Sequence, residues 1–458
     1  MAAAYSSSTV FNQPPLPDGE GEGHDPPNWI LLDVLGYIAE CPNTTFAQSS
    51  TSTGQRIEVS FCTARPPHVS HFCVHCPGLG PADFSLAPTV IGAEADLILF
   101  CVSVSPSILF NPRYCDYFLY RAHPRSPSLD LLPHPYPHCF RDKEVALLSL
   151  DGDGGEYAVA ILTSRCLKVS LKEDGTLNET EFDLCLYRSS KAQEGWTSKV
   201  VSVADPVRDA VCPVDCAPYH ETNKAITLRR GMVCWVDLWR GILLCNVLEE
   251  NPLLVDIPLP LPARGNWRLY HKSLSYKYRD ITVSPLKDTI KYIEIEVCPP
   301  RNPPDESYMD WFHQMRRDRR CNAPCTGSKA RTWSLSTTTI PSWKEWLLDC
   351  TLGVADIDVQ PIHSKQLPRP SSINDKPNQA TLLQHLIIGF PTLSMDDDVV
   401  YMLSKACPED QMEVVIAVDM RKKTLQGVAK LVTGKDFTDT RNCTSEISKY
   451  LSKDEVVR

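Results

Sequence analysis

Residues 231–262 read GMVCWVDLWRGILLCNVLEENPLLVDIPLPLP, and this stretch decides the fold. Met232, Cys234 and Val236 alternate with Val233, Trp235 and Asp237, which is the period of a β-strand. Ile242–Val247 is a second apolar run, too short for a buried helix. Gly241 completes the predicted turn between them, and we expect it to adopt a positive φ. A third run, Leu253–Ile257, ends in prolines, which donate no hydrogen bond to a sheet ladder. Three short strands joined by tight turns predict a meander, the unit of propeller blades and antiparallel barrels.

The first of these strands is apolar at nearly every position. A blade that packs between two neighbouring blades buries both of its faces, which accounts for that composition. We therefore predict that Trp235 is a core residue and not part of an exposed binding face.

The same stretch carries a family resemblance, together with two segments nearer the N-terminus. From Trp235 onward, WVDLWRGILLCNVLEENPLLVDIPLPLP resembles the signature of the plant (grass) family called domain of unknown function 1618 (DUF1618). PNWILLD at Pro27–Asp33 and PPHVSHFCVHCPG at Pro66–Gly78 resemble the lead-in segments of that family. The resemblance covers roughly residues 27–432. It implies no catalytic residue, because the family has no established catalytic motif.

The rest of the chain predicts an all-β fold of many short strands separated by turns. So many strands would overfill one sandwich or small barrel, whereas a propeller adds blades freely, so we expect about six or seven antiparallel blades. We assign 1–26 to a disordered acidic tail, 27–432 to one propeller-like domain and 433–458 to a C-terminal tail. Helical periodicity is limited to short inserts, the best being Asp305–Arg320 and Ser445–Glu455.

Composition excludes several classes of protein. A net charge of −10 argues against a nucleic-acid binder and against affinity for anionic membranes. The longest apolar run, Leu97–Phe110, is interrupted by serines and a proline, so no membrane span is predicted. The N-terminus lacks the basic region of a signal peptide, and 19 scattered cysteines do not form a disulfide framework. These observations predict a cytoplasmic or nuclear protein that is not secreted.

One cluster offers metal-ligating side chains. His71, Cys73 and Cys76 include a C-x-x-C pair, which binds zinc when the chain turns between the two thiolates. The alternation of this segment predicts a strand instead, which places Cys73 and Cys76 on opposite faces. We therefore predict no metal site and no cofactor.

One basic cluster stands out in the insert after residue 299. It is either a solvated helix face or a contact for a partner, and it consists of Arg316, Arg317, Arg319 and Arg320. The chain contains no G-x-S-x-G, H-E-x-x-H or G-x-G-x-x-G motif, so we assign no catalytic or cofactor-binding residue.

These observations favour a non-enzymatic protein-interaction module that binds an unidentified protein partner. One alternative is an F-box-like substrate adaptor, because Leu16-Pro17-Asp18 is similar to the opening of an F-box, although a glycine-rich run follows where a helix should begin. The other alternative is an enzyme without a recognisable motif, since distant residues can converge in a fold.

Overall fold

Six antiparallel sheets form a ring, as in a β-propeller. The computed structural model of the chain describes residues 27–104, 115–135, 140–150, 155–165, 181–203, 220–269, 274–296, 328–338, 346–369, 382–406, 412–431 and 442–451. The predicted all-β propeller is confirmed, with six blades.

Blades 2 to 6 each contain four strands that pair in the order of the sequence. Blade 2 consists of β6 (Phe84–Glu94), β7 (Leu97–Val104), β8 (Asp116–Arg121) and β9 (Ser128–Leu131). Blade 3 consists of β10 (Val145–Ser149), β11 (Tyr157–Ser164), β12 (Glu181–Arg188) and β13 (Thr197–Ser202). Blade 4 consists of β14 (Lys224–Thr227), β15 (Met232–Asp237), β16 (Gly241–Asn246) and β17 (Val255–Pro258). Blade 5 consists of β18 (Arg279–Val283), β19 (Thr289–Glu296), β20 (Lys329–Ser336) and β21 (Leu347–Gly353). Blade 6 consists of β22 (Ile387–Leu393), β23 (Val399–Lys405), β24 (Val414–Asp419) and β25 (Thr424–Lys430).

Blade 1 joins the two ends of the described chain. It consists of β1 (Ile30–Asp33), β2 (Tyr37–Ile38), β3 (Ala47–Ser50), β4 (Arg56–Cys62), β5 (Val69–His75) and β26 (Asn442–Ser445). Strand β26 pairs antiparallel with β1, and β1 in turn pairs parallel with β5. Asn442–Ser445 belong to the segment that is predicted as a C-terminal tail. In the structure these residues form the innermost strand of blade 1, because their backbone groups find partners on β1.

Helical structure is short in the described residues. The α-helices are α1 (Pro361–Ser364) and α2 (Ser448–Leu451), and α2 lies within the helix predicted over Ser445–Glu455. Asp305–Arg320 lies outside the described residues. Single 3₁₀ segments occur at Pro81–Asp83, Asp142–Glu144, Ser189–Glu194, Arg264–Leu269, Ser275–Lys277, Val354–Asp356 and Leu383–His385. Among the helices seen here, none is long and apolar enough to span a bilayer.

The core is divided among the seams between blades. Within the described part of the chain, each of six hydrophobic clusters combines residues of two neighbouring blades. Trp235 of β15 contributes to the seam with blade 3, whereas Cys234 and Val236 of the same strand contribute to the seam with blade 5. All three residues are fully buried. Both faces of β15 are therefore core, as its composition predicts.

The predicted positive φ of Gly241 is wrong. The positive φ values in this blade belong to the turn between β14 and β15, at Arg230 with 59° and Gly231 with 76°. The turn before Gly241 is held by Asp237, whose Oδ1 accepts a hydrogen bond from the Trp239 amide at 2.9 Å. Gly241 is required for space instead, since a Cβ at this position would lie 2.6 Å from the carbonyl oxygen of Ile257 on β17.

Candidate functional site

The innermost strands of the six blades surround a central cavity of about 410 Å³. They are β26, β6, β10, β14, β18 and β22, and each contacts the next around the ring. Every blade contributes to the lining. Small residues such as Gly92 and Ala93 lie beside charged ones, so the cavity wall is part apolar and part ionic.

One ion pair in this wall connects three blades. Lys224, the first residue of β14, places its Nζ 2.8 Å from Oδ1 of Asp280 on β18. The other oxygen of Asp280 accepts a hydrogen bond of 3.0 Å from the amide of Leu393 on β22. Because Asp280 is buried, these contacts replace the hydration that its carboxylate loses on folding.

A second charged group lies at the other end of β14. Glu94, the last residue of β6, accepts a hydrogen bond of 2.6 Å from the hydroxyl of Thr227 and forms an ion pair with Lys287. Lys287 follows β18, so this group connects blades 2, 4 and 5. The ion pairs fix the relative positions of inner strands that share no sheet.

A third ion pair is fully buried beside the cavity. Arg279 of β18 contacts Glu294 of β19 at 2.7 Å, and both side chains are at most 1% exposed. The guanidinium also donates to the carbonyl oxygen of Leu238 at 2.7 Å and lies 4.4 Å from the ring centre of Trp239. This arrangement secures the turn before Gly241 against blade 5.

Exposed charges occupy the cavity mouth on the side where β10 and β14 begin. Arg141 precedes β10 and Glu221 precedes β14, with 3.6 Å between their charged atoms and with side chains 54% and 52% exposed. Lys143 lies beside them, 5.1 Å from the ring centre of Tyr276. Glu221 and Thr227 lie at opposite ends of β14, so this mouth is distinct from the Glu94 group.

The structure separates the sequence-predicted metal candidates. Cys76 packs in the apolar seam between blades 1 and 2 with Phe72 and Val74. Cys73 lies on the opposite face of β5, as the alternation predicts, and its sulfur is within 4.8 Å of the sulfurs of Cys41 and Cys62.

His71 lies on the same face of blade 1 as Cys73. It is directly opposite Cys62 in the β4–β5 ladder and is buried. Hydrogen bonds from Cys73 and, to a lesser extent, His71 lower the pKa of the Cys62 thiol, while burial opposes them. The pKa of Cys73 is raised, because it donates to Cys62 and is buried.

Cys41 and Cys62 are not among the candidate ligands predicted from the sequence. Neither belongs to a short ligand motif, since Cys41 precedes β3 and Cys62 ends β4. The pairing of β4 with β5 could have indicated Cys62 as a candidate, because that register places Cys62 opposite His71. The other predicted contact residues, Arg316, Arg317, Arg319 and Arg320, lie outside the described residues, as does Leu16-Pro17-Asp18.

The fold and its central cavity define a six-bladed β-propeller-like protein. Residues 235–401, which extend from β15 into β23, match the family model described as protein of unknown function (DUF1618). This match supports the DUF1618 family that the stretch from Trp235 resembles.

Two further comparisons add no functional assignment. The search of curated proteins gave no match. A solved structure from a study of two prolyl endopeptidases, and of inter-domain dynamics in their catalysis and specificity, aligns with a TM-score of 0.21 at 8% identity. The alignment covers 77% of this chain and 51% of that chain, so it spans about half the length of that protein. A TM-score this low carries no argument about fold or activity.

Proposed function

We propose that this protein is a non-enzymatic interaction module that binds a partner protein at the Arg141–Glu221 mouth of the central cavity. The observation that carries this proposal is the group of exposed charges around an opening in a rigid ring. Loops on a rigid scaffold present binding groups that lose little conformational entropy on binding. A cavity of this volume also lies in the range that accepts a projecting side chain or chain end.

The internal charges of the cavity support recognition more than reaction. The carboxylates of Asp280 and Glu94 each face a lysine, and backbone or hydroxyl donors take up further oxygens. These contacts occupy the carboxylate oxygens, whereas a general base needs an oxygen within reach of the proton that it removes from a substrate. The cavity therefore offers fixed shape and fixed charge.

The ion pair at the mouth is longer and more exposed than the Lys224–Asp280 pair inside the cavity. At 3.6 Å and about half exposed, Arg141 and Glu221 can exchange their mutual contact for contacts with a partner. Charged groups at the rim of an interface govern association rate and partner choice. We expect the partner to present both an acidic and a basic group to this mouth.

The test is affinity purification with the full chain as bait, followed by identification of the bound proteins. The double variant Arg141→Glu/Lys143→Glu should lose a partner that the parent retains. Lys191→Glu is the control, because Lys191 is 51% exposed and lies away from the cavity, in the 3₁₀ segment after β12. Retention of every parent partner by the double variant contradicts a role for this mouth. Capture of no protein by the parent contradicts an interaction module.

A further inference from the structure

Three cysteine sulfurs meet on one face of blade 1, away from the central cavity. Cys41, Cys62 and Cys73 have their sulfurs within 4.8 Å of one another, and the Cys41–Cys62 separation is 3.5 Å. They come from three places in the chain: the loop between β2 and β3, the end of β4 and the middle of β5. Tertiary structure alone brings them together.

The spacing of these sulfurs suits a tetrahedral metal ion. With zinc–sulfur bonds of about 2.3 Å, tetrahedral geometry places two ligand sulfurs about 3.8 Å apart. The Cys41–Cys62 separation of 3.5 Å is close to that value, and no two of the three sulfurs lie more than 4.8 Å apart. None of the eleven described cysteines forms a disulfide, these three included.

His71 supplies an independent indication of a ligand. His71 is only 3% exposed, and its Nε2 has no hydrogen-bond partner among the described residues. A buried imidazole nitrogen without a partner loses its hydration for no return, unless something else occupies that position. His71 lies opposite Cys62 in the β4–β5 ladder, so its ring borders the sulfur cluster. Among the described residues, the group of ligand atoms within 4.8 Å of one another contains only the three sulfurs, so the imidazole must move toward them to become a ligand.

We propose that Cys41, Cys62 and Cys73 hold a structural zinc ion in blade 1, with His71 as the fourth ligand once its imidazole moves toward the sulfurs. Three sulfurs and one imidazole nitrogen form a Cys₃His set, which suits the soft, tetrahedral Zn²⁺ ion. A dication also offsets the mutual repulsion of three thiolates in a buried position. Cys41 is partly exposed, which gives the ion a route from solvent.

The surroundings of the cluster fit such a site. Asn43 donates from Nδ2 to the carbonyl oxygen of Phe61 at 3.0 Å and lies 3.9 Å from the sulfur of Cys62. The same side chain accepts hydrogen bonds from the amide and hydroxyl of Thr45, so the loop that carries Cys41 is held against β4. A bound ion would fasten this loop to both β4 and β5. The site would thus stabilise the blade in which the ring closes.

The test begins with the full chain, reduced and freed of metal. Titration with Co²⁺ should produce the thiolate-to-metal absorption of three sulfur ligands at one equivalent, and Zn²⁺ should abolish it by displacement. Chelation of the zinc-loaded chain should lower its melting temperature, because an ion that binds only the folded state stabilises that state. Absence of a thiolate–cobalt band in the parent overturns the proposal without any variant.

Variants then assign the ligands. Cys41→Ser, Cys62→Ser and Cys73→Ser should each weaken Co²⁺ binding by more than about 100-fold, since even supporting residues around a metal cost up to that much. Cys350→Ser is the control, because Cys350 is a partly exposed cysteine of blade 5. Cys41→Ser changes a partly exposed loop residue, so the fold of this variant should survive, which circular dichroism verifies.

The remaining outcomes test which residues are ligands of the ion. Undiminished binding in the three serine variants, or an equal loss in Cys350→Ser, places the ion elsewhere and overturns the proposal. His71→Gln should weaken binding and alter the cobalt spectrum. An unchanged spectrum would remove His71 from the ligand set and contradict the site as proposed.

Discussion

Trp235 shows at the scale of one residue how neighbouring blades are fastened together. Its ring is fully buried in the seam between blades 3 and 4, and its Nε1 donates to the carbonyl oxygen of Glu144 at 2.8 Å. Glu144 immediately precedes β10, the inner strand of blade 3. One side chain therefore combines apolar burial with a hydrogen bond across the seam.

Trp235→Ala should destabilise the protein by about 3–5 kcal/mol, because it leaves a large cavity that the seam cannot refill. Thermal or denaturant unfolding measures the loss. Trp196→Ala is the matched control, because Trp196, at the start of β13, is only partly buried. Its Nε1 also donates a hydrogen bond, to the carbonyl oxygen of Pro133 at 2.8 Å. A Trp235→Ala variant that melts with the parent would contradict the assignment of this residue to the core.

Gly241→Ala should destabilise blade 4 by about 1–3 kcal/mol through overpacking. The added Cβ would meet backbone, the Ile257 carbonyl at 2.6 Å, which cannot move aside as a flexible side chain could. Gly80→Ala is the control, because its Cβ would meet nothing closer than an Asp83 oxygen at 3.9 Å. Urea unfolding of both variants beside the parent checks the difference, and equal midpoints would refute it.

Arg279→Leu should cost about 3–5 kcal/mol, since removal of one partner leaves the Glu294 carboxylate buried beside an apolar group. Arg331→Leu on β20 serves for comparison. Its ion pair with Glu296, at 3.0 Å, belongs to the same blade, and Glu296 is only 4% exposed, but the Arg331 side chain is 28% exposed, so water can enter the space that it leaves. In chemical unfolding, the free energy of unfolding of Arg279→Leu should therefore be well below that of Arg331→Leu. The reverse order would contradict this account.

At the scale of elements, β26 closes the ring. It is only four residues long, yet it pairs with β1 along its whole length, from Ile30↔Ser445 to Asp33↔Asn442. It also contacts the inner strands on both sides, β22 and β6. Loss of this strand would expose the backbone of β1 and both adjoining seams at once.

A chain that ends after residue 441 should therefore be far less stable than the parent, with a lower melting temperature and poor soluble yield. The control ends after Leu451 and retains β26 and α2. It should melt well above the shorter chain. A synthetic peptide of residues 442–451 should raise the melting temperature of the shorter chain, because it restores the same pairing. Equal melting of the two truncated chains would show that β26 does not close the ring.

At the scale of the whole molecule, stability is shared around the ring. Every blade packs against two neighbours, and ion pairs such as Lys224–Asp280 and Glu94–Lys287 connect inner strands of different sheets. Opening one blade exposes two seams, which costs apolar burial on both sides. The six blades should therefore unfold as one cooperative unit.

A single transition is the expected result of denaturant unfolding, with the same midpoint by far-ultraviolet circular dichroism and by tryptophan fluorescence. The tryptophans report on separate seams, since Trp29 lies between blades 6 and 1 and Trp235 between blades 3 and 4. Midpoints that differ between the two probes would show that part of the ring opens independently.

The sequence by itself determined the kind of fold and the placement of blade 4. Strands β15, β16 and β17 have local signals, namely alternation, short apolar runs, tight turns and terminating prolines. The burial of Trp235 was predictable for the same reason, because a strand that is apolar on both faces must be covered on both.

Only the tertiary structure decided where distant segments meet. Strand β6 carries Pro88 and several register shifts, which hide its period although it lines the cavity and ends in Glu94. Strand β26 is polar and short, so its role depends on the N-terminal strand that it pairs with. The sulfurs of Cys41, Cys62 and Cys73 likewise meet through strand pairing. Periodicity records which face of a strand is buried, but it carries no information on partners far away in the chain, and these partners create both the cavity and the cysteine cluster.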